Sequence, residues 1–365
     1  MTGRVRQPFD ELAFGKYLSA HVPEIVPPVD VKQFNFGQSN PTYLITAANG
    51  RKFVMRKRPP GRVPRQSHRV EREYEILRAL ETTSIPVPKP YALCTDESVI
   101  GTMFYIMEFL DGRIFEDQNL PGVSLEEKRE IWRAAIQTLA ELHSVDPREV
   151  GLENFGKAAG FYNRQIRTWE SIIKSQEGIL SVNTQQPVGK VPHFEESLRY
   201  FKDQRLQPKE RMSLVHGDYK LDNLVFHKTE PRVIGILDWE SSTVGHPLSD
   251  VCNLVSPFFL ARQPGATPYD LSSLLPGQTP GLPQPDLLVE WYTWSSSYDP
   301  RRDLSWGVAF NVFKLAAICQ GVAARVALGQ TASREAQKYA SMRGPVARLA
   351  WNLVLEASTF KSARL

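Results

Sequence analysis

Residues 214–226 read Leu-Val-His-Gly-Asp-Tyr-Lys-Leu-Asp-Asn-Leu-Val-Phe. Apolar residues flank a polar stretch, the pattern of a strand that runs into a loop and out into a second strand. Asp218 and Asn223 stand five positions apart on that loop. Phosphoryl transfer asks for such a pair: a carboxylate that orients the attacking hydroxyl and takes its proton, and an amide oxygen that holds magnesium on nucleotide phosphates. Further on, Val233-Ile-Gly-Ile-Leu-Asp-Trp-Glu240 is an apolar strand that ends in a second acid, Asp238. A hairpin leaving Asn223 would set Asp238 beside it, and two hard oxygen ligands suit magnesium. The plain alternative is an ordinary hairpin with scattered acids.

The segment HGDYKLDN (216–223) resembles the catalytic loop HGDxxxxN of the aminoglycoside phosphotransferase and choline kinase superfamily, and its spacing is that of the protein-kinase loop HRDxxxxN. The segment ILDWE (236–240) resembles that superfamily's counterpart of the protein-kinase DFG motif. The resemblance implies ATP and Mg2+ as cofactors, Asp218 as catalytic base, Asn223 and Asp238 as magnesium ligands, and His216 as a brace for the loop. Gly245-His-Pro-Leu-Ser-Asp250 resembles the family's GxxxxD segment, which implies a structural role for Asp250.

Working outward, the first hundred residues read as β-rich with one helix. Strands are expected at Val31–Phe36, Thr42–Thr46 and Lys52–Arg56, the last two joined by the hairpin signal Asn49-Gly50. Ser67–Leu80 has helical spacing through Val70, Tyr74, Leu77 and Leu80. Pro86, Pro88 and Pro90 impose an extended path, Thr102–Phe109 reads as a strand, and Leu110-Asp-Gly112 as a hinge. Phe53-Val-Met-Arg56 resembles the kinase strand that carries the phosphate-binding lysine, with Arg56 in the lysine's place. Strand alternation puts Val54 and Arg56 on one face and Lys57 on the other. An arginine still binds phosphate, as a planar fork rather than a point charge. Glu73 resembles the helix glutamate that pairs with that basic residue, with Glu71 the second choice. Phe36-Gly-Gln-Ser-Asn-Pro-Thr42 has one glycine where the protein-kinase loop has three, yet its amides and the Ser39 hydroxyl could cradle phosphate. Met107–Leu110 resembles the hinge that meets adenine, with Glu108 and Leu110 as its residues. Surface charge is the alternative reading of the acids and bases in this half.

The remainder is mainly helical. Helices are expected at Leu125–Ser144, Phe161–Glu177, Leu287–Ser295, Trp306–Leu328 with Gly329 as cap, and Ser333–Ser358 with a break near Gly344-Pro345. A proline-rich stretch between Pro257 and Pro285 reads as a long loop or insertion. The order implies an α+β, two-lobed, protein-kinase-like fold: a small antiparallel β lobe with one helix at 1–109, binding nucleotide, and a larger helical lobe at 110–365 with the catalytic loop and acceptor site.

Within the superfamily, Gly160–Trp169 and Lys314–Arg325 look like segments of the kinase-like domain fused in some eukaryotes to acyl-CoA dehydrogenases; bacteria carry similar free-standing proteins. The likeness runs from about Phe34 to Gln330, and no dehydrogenase domain is expected in a chain of 365 residues. It implies a hydroxy fatty acid or hydroxyacyl-CoA as acceptor, with Arg164, Trp169, Gln320 and Arg325 as candidates for lining its site. Helix packing and surface ion pairs are the alternative for each of the four.

Composition narrows the field. Hydrophobic residues make up 42% and charged residues 23%, the balance of a globular chain that can bury its own core. The net charge of +4 is too small to point to nucleic acid. A basic run between Arg51 and Arg69 is either a solvated loop or a mouth for anionic substrates. Three cysteines, Cys94, Cys252 and Cys319, form no CxxC pair and read as reduced, buried thiols in an intracellular, cytoplasmic protein. Seven histidines show no metal-ligand spacing. No stretch reads as a membrane span of roughly 20 apolar residues. The final Ala363-Arg364-Leu365 is a variant of the Ser-Lys-Leu peroxisomal address, meaningful only in a eukaryotic cell. Three functions stand against one another: a small-molecule kinase for an acyl acceptor, a kinase for an amino alcohol, aminoglycoside or sugar amine, and a catalytically dead binding protein on the same fold. A protein-kinase activity is disfavoured, because no APE-like anchor follows Asp238. Oligomeric state is not legible.

Overall fold

A computed structural model describes residues 2–3, 5–6, 8–34, 40–59, 69–263, 270–331 and 333–362. The chain divides into two units. The first comprises Met1–Glu116, Arg148–Leu152 and Leu221–Ser242. Its centre is an antiparallel sheet of β1 (Thr2–Gly3), β2 (Asp30–Phe34), β3 (Thr42–Thr46), β4 (Lys52–Lys57), β5 (Pro90–Cys94) and β6 (Phe104–Glu108), in the order β1-β2-β3-β4-β6-β5. The Asn49-Gly50 turn joins β3 to β4 as expected, with Gly50 at φ +79°, a left-handed conformation that costs glycine nothing. The resulting register sets Thr46 opposite Lys52 and Thr42 opposite Arg56. Alternation along β4 then sends Phe53 and Met55 into a core with Tyr43, Ile45 and Phe104. Lys57 shares that face, its ammonium 5.6 Å from the Phe9 ring centroid and 5.5 Å from that of Tyr43.

Among the described residues this unit has two α-helices where one was expected. The unexpected α1 (Glu11–His21) is capped by the Asp10 carboxylate, which accepts from the amides of Leu12 at 3.0 Å and Ala13 at 2.9 Å. It buries only Phe14 and Leu18, so its apolar stripe is too thin to stand out in the sequence. The second, α2 (Val70–Leu80), buries Val70, Glu73, Ile76, Leu77 and Leu80. The path after Pro86 also does more than extend, because Pro90–Cys94 is a full strand. It lies at the sheet edge, where the missing proline N–H breaks no ladder. In the second unit's chain order comes β7 (Ser213–Val215); the first unit then resumes with the hairpin of β8 (Leu224–Phe226) and β9 (Val233–Ile236).

The second unit comprises Asp117–Pro147, Glu153–Lys220 and Thr243–Leu365. It pairs β7 with β10 (Thr243–Gly245) and adds α3 (Leu125–Ser144), α4 (Phe161–Glu177), α5 (Phe194–Lys202), α6 (Leu248–Leu260), α7 (Pro285–Ser295), α8 (Leu304–Ala327) and α9 (Arg334–Ser362). The end of α8 is a double turn: Gln330 donates to the Arg325 carbonyl and Gly329, at φ +68°, to that of Val326. The break expected at Gly344-Pro345 does not occur. α9 runs through it because Met342, Val346, Ala347, Leu349, Ala350, Val354 and Ala357 are buried along the helix, and that packing outweighs one lost backbone bond. Contrary to the sequence reading, α8 is long and apolar enough to cross a membrane, with a mean hydropathy of 1.5 over 18 residues. Some 67% of that stretch is buried inside the protein, and α8 packs on α4, α6 and α9.

The segment expected to act as a hinge is held to the β8–β9 hairpin. Arg113 exchanges two backbone hydrogen bonds with Phe226, both 2.8 Å, and a Cβ on Gly112 would overlap the Phe226 carbonyl and the Val225 side chain. Replacing Gly112→Ala is therefore expected to destabilise the protein by about 2–3 kcal/mol, read as a lower denaturant midpoint at unchanged slope. An unchanged midpoint would show that the contact yields freely.

Candidate active site

The loop after β7 is fixed by one buried carboxylate. Asp250, in the first turn of α6 and 0% exposed, accepts the amide of His216 at 2.6 Å and that of Gly217 at 2.8 Å. His143 Nε2 lies 3.3 Å from the same carboxylate, and its Nδ1 lies 2.7 Å from the Tyr292 hydroxyl. Burial by itself would raise the Asp250 pKa, but the His143 contact and the loop amides outweigh it and hold the carboxyl below its ordinary value. Two successive amides can converge on one carboxylate because Gly217 takes φ +87°. The His216 ring is buried, and its Nδ1 accepts the amide of Asp218 at 3.2 Å. Tyr219 is buried as well and donates its hydroxyl to the Ala135 carbonyl of α3 at 2.8 Å. The loop is thus gripped at residues 216, 217, 218 and 219.

The Asp218 carboxylate, by contrast, is partly exposed. Asn253 Nδ2 lies 3.4 Å from its Oδ1 and also donates to the Tyr219 carbonyl at 3.2 Å. Lys220 Nζ is 3.4 Å from Oδ2. Asn253 escaped the sequence reading. Its signal is its spacing, three residues beyond Asp250 on one helix, which puts both side chains on the same face.

Within the first unit the β8–β9 hairpin does what the sequence predicted. Leu224 pairs with Ile236, and the Leu237 amide donates to the Asn223 carbonyl at 2.8 Å, so Asn223 and Asp238 are adjacent across the strands. Asp238 adopts φ 65° and ψ 57°, a left-handed conformation unusual outside glycine though tolerated by aspartate. Arg56 Nη1 and Nη2 both lie 3.0 Å from Asp238 Oδ1. Arg56 Nη1 also lies 3.0 Å from Glu73 Oε2, and Nη2 is 3.9 Å from Glu240 Oε2. Glu73, fully buried, further accepts the Tyr105 hydroxyl at 2.8 Å and Asn40 Nδ2 at 2.6 Å. Burial works against the Arg56 charge, yet Glu73 above all holds the guanidinium pKa above its ordinary value. Glu73 is the partner, not Glu71, which sits by Arg69 at 3.0 Å and Arg58 at 3.6 Å. Tyr105 was legible only through strand pairing, since it stands directly opposite Arg56.

The other expected residues have partners of their own. Glu108 accepts the Lys89 amide at 3.2 Å, and Leu110 covers Gly235 of β9, where a Cβ would strike it. Arg164 donates to the carbonyls of Ala159 and Lys157, tying down the turn before α4. Trp169 donates to Gln165 within α4 at 3.2 Å. Gln320 is buried, donates to the Gly189 carbonyl at 3.0 Å and accepts from Arg343 at 3.1 Å. Arg325 is exposed. Ser39, much of the basic run (Arg62 and Arg65 included) and Ala363-Arg364-Leu365 lie outside the described residues.

Residues 30–280 match the phosphotransferase enzyme family. The structure of a Ralstonia eutropha protein assigned to the aminoglycoside phosphotransferases is similar at a TM-score of 0.79 and 34% identity, covering 96% of this chain and 99% of that one. The streptomycin–ATP complex of APH(2'')-IIa has a TM-score of 0.57 at 17% identity over 86% of this chain and 90% of that one, a likeness of fold alone. The fold is thus α+β and protein-kinase-like. Among curated proteins, Arabidopsis thaliana IBR3, assigned as an acyl-CoA dehydrogenase, is 40% identical over 84% of this chain and 37% of its own length. The chain spans 29% to 44% of the curated acyl-CoA dehydrogenase family members it matches.

Asp250→Asn replaces one acceptor oxygen by a donor facing two amides. It is expected to cost about 3 kcal/mol in denaturant unfolding at neutral pH. Because the folded-state pKa is depressed, this stabilisation is complete above the ordinary value of 3.8 and is lost as pH falls through the folded value. The stability gap between the two proteins should therefore be constant down to about pH 4 and narrow below it. A gap that is negligible at neutral pH would remove Asp250 from its organising role.

Proposed function

The chain belongs to the phosphotransferase enzyme family, and from that premise we propose that it transfers the γ-phosphoryl group of ATP to a hydroxyl of a small molecule, with a hydroxy fatty acid or hydroxyacyl-CoA as acceptor. The observation that carries the reading is the retention of a partly exposed Asp218 on a loop held at three successive amides, 216 to 218, and by the side-chain hydroxyl of Tyr219. A base for an incoming hydroxyl has to be positioned and still be reachable, and this carboxylate is held by Asn253 and Lys220 while its side chain is 39% exposed.

The first unit's cluster fits a nucleotide's magnesium. Asn223 and Asp238 supply hard oxygens and are set side by side by the hairpin. One guanidinium, Arg56, faces three carboxylates, Glu73, Asp238 and Glu240, which leaves a negative balance suited to a divalent cation. Asp238 gives one oxygen to Arg56 and keeps about a third of its side chain exposed. Magnesium, when bound, would neutralise charge on the transferring phosphates. Asp218 would orient the acceptor hydroxyl and take its proton as that oxygen bonds to the γ-phosphorus and the bond to the departing ADP oxygen breaks. Arg56, anchored by Glu73, would hold Asp238 in its left-handed pose.

The acyl acceptor is supported by the similarity to acyl-CoA dehydrogenase family members. It is also supported by the segment after Asp250, which is poor in acids and rich in Pro, Phe and Leu, unlike a pocket for polycations. The likeness to the Ralstonia protein keeps an aminoglycoside or amino alcohol as the second reading. An ATP-consumption screen across 3- and 4-hydroxyacyl-CoA, free hydroxy acids, choline-like amines and aminoglycosides decides between them. Turnover is expected with the acyl compounds, and Asp218→Asn is expected to lower it by about 10²–10⁴-fold while keeping the magnesium-dependent thermal shift with ATP. Full activity in that variant, or consumption with amines alone, would sink the reading.

A further inference from the structure

α8 carries a charge that the fold does not use. From Leu304 through Ala324 its single charged residue is Lys314, on a mainly apolar helix of the core. Lys314 is partly buried, and no hydrogen bond or ion pair holds its ammonium among the described residues. A lysine in such surroundings is costly unless something pairs with it, so its position needs a reason. Its helix packs on α6, which carries Asp250 and Asn253. Asn311, one turn earlier on the same face, donates to Ser256 Oγ of α6 at 3.1 Å. Ser256 in turn lies one helical step beyond Asn253, which reaches Asp218 Oδ1 at 3.4 Å. Burial lowers the Lys314 pKa, opposed by the nearby charges of Asp250 and Asp218. Asp250 already has two amides and His143, so it does not require this lysine.

We propose that Lys314 reads the acceptor: its ammonium donates to a carbonyl or carboxylate oxygen a few bonds from the hydroxyl that Asp218 serves, and it repels acceptors bearing an ammonium there. The inference rests on the acyl reading above and sharpens it to 3- or 4-hydroxyacyl compounds, which carry an oxygen acceptor a few bonds from the hydroxyl. It also supplies a reason for rejecting amines, since like charges at short range in a partly buried site are strongly unfavourable.

The test uses the full chain with Lys314→Met and Lys314→Gln, and measures kcat and KM with 3-hydroxybutyryl-CoA, 3-hydroxybutyrate and choline. Both variants remove a partly buried charge and are expected to fold; either one alone suffices. The KM for the acyl compound used by the wild type is expected to rise about 10- to 100-fold, with a much smaller change in kcat. A loss confined to the thioester assigns the carbonyl as the group read; a loss confined to the free acid assigns the carboxylate. An unchanged acyl KM, or an equal fall in kcat for every acceptor at constant KM, overturns the role of Lys314 alone. A wild type that consumes ATP with choline but with neither acyl compound overturns both this inference and the acyl reading.

Discussion

A single carboxylate without solvent access organises the second unit. Asp250 accepts two successive loop amides and faces His143, and each charge-assisted bond of this kind contributes about 1.5–3 kcal/mol. Burying that charge would be ruinous without its donors, and the donors would be orphaned without it. The mutual dependence fixes where residues 216 and 217 sit, and through the His216 ring it fixes the amide of Asp218. With the loop amides held in this way, the Asp218 side chain stays 39% exposed beside Asn253 and Lys220.

The first unit repeats the principle with the signs reversed. Arg56 is the buried charge, and Glu73 and Asp238 are its partners. The arrangement follows from register: the β3–β4 hairpin fixes the face of Arg56, β6 sets Tyr105 opposite it, and α2 delivers Glu73 to both. Asp238 reaches the cluster only in a left-handed conformation, so the pair with Arg56 holds a backbone state that would otherwise be sparsely populated. An arginine fits this task better than a lysine, since its fork contacts two carboxylates at once.

Much of this was legible from residue order. The ends of α3 and α4 coincide with their expected bounds; Ser124 caps α3 and an apolar stripe marks it, while α4 starts after Gly160 without a side-chain cap and was legible from its stripe. The β8–β9 hairpin was legible from its apolar strands and the acid that ends the second, and the Glu73 pairing only through the resemblance to the kinase helix glutamate, which left Glu71 open until the register placed Glu73 by Arg56. What stayed hidden depends on partners distant in sequence. α1 shows only two buried residues, and α9 survives Pro345 because of its buried face, which local propensity does not report. Asn253 and Tyr105 are ordinary polar residues until α6 and β6 bring them to a charge. Lys314 looked like part of a family segment; its isolation in an apolar helix emerges only when its neighbours are found to have other partners.

The central claim is that Asp218 serves a hydroxyl that receives phosphorus. Phosphorus NMR of the full chain with ATP, magnesium and a hydroxyacyl acceptor tests it most directly. The account predicts a phosphate-monoester resonance on the acceptor that grows in step with ADP and is absent with Asp218→Asn. ADP accompanied by inorganic phosphate alone, or a monoester formed equally well by the variant, would contradict it.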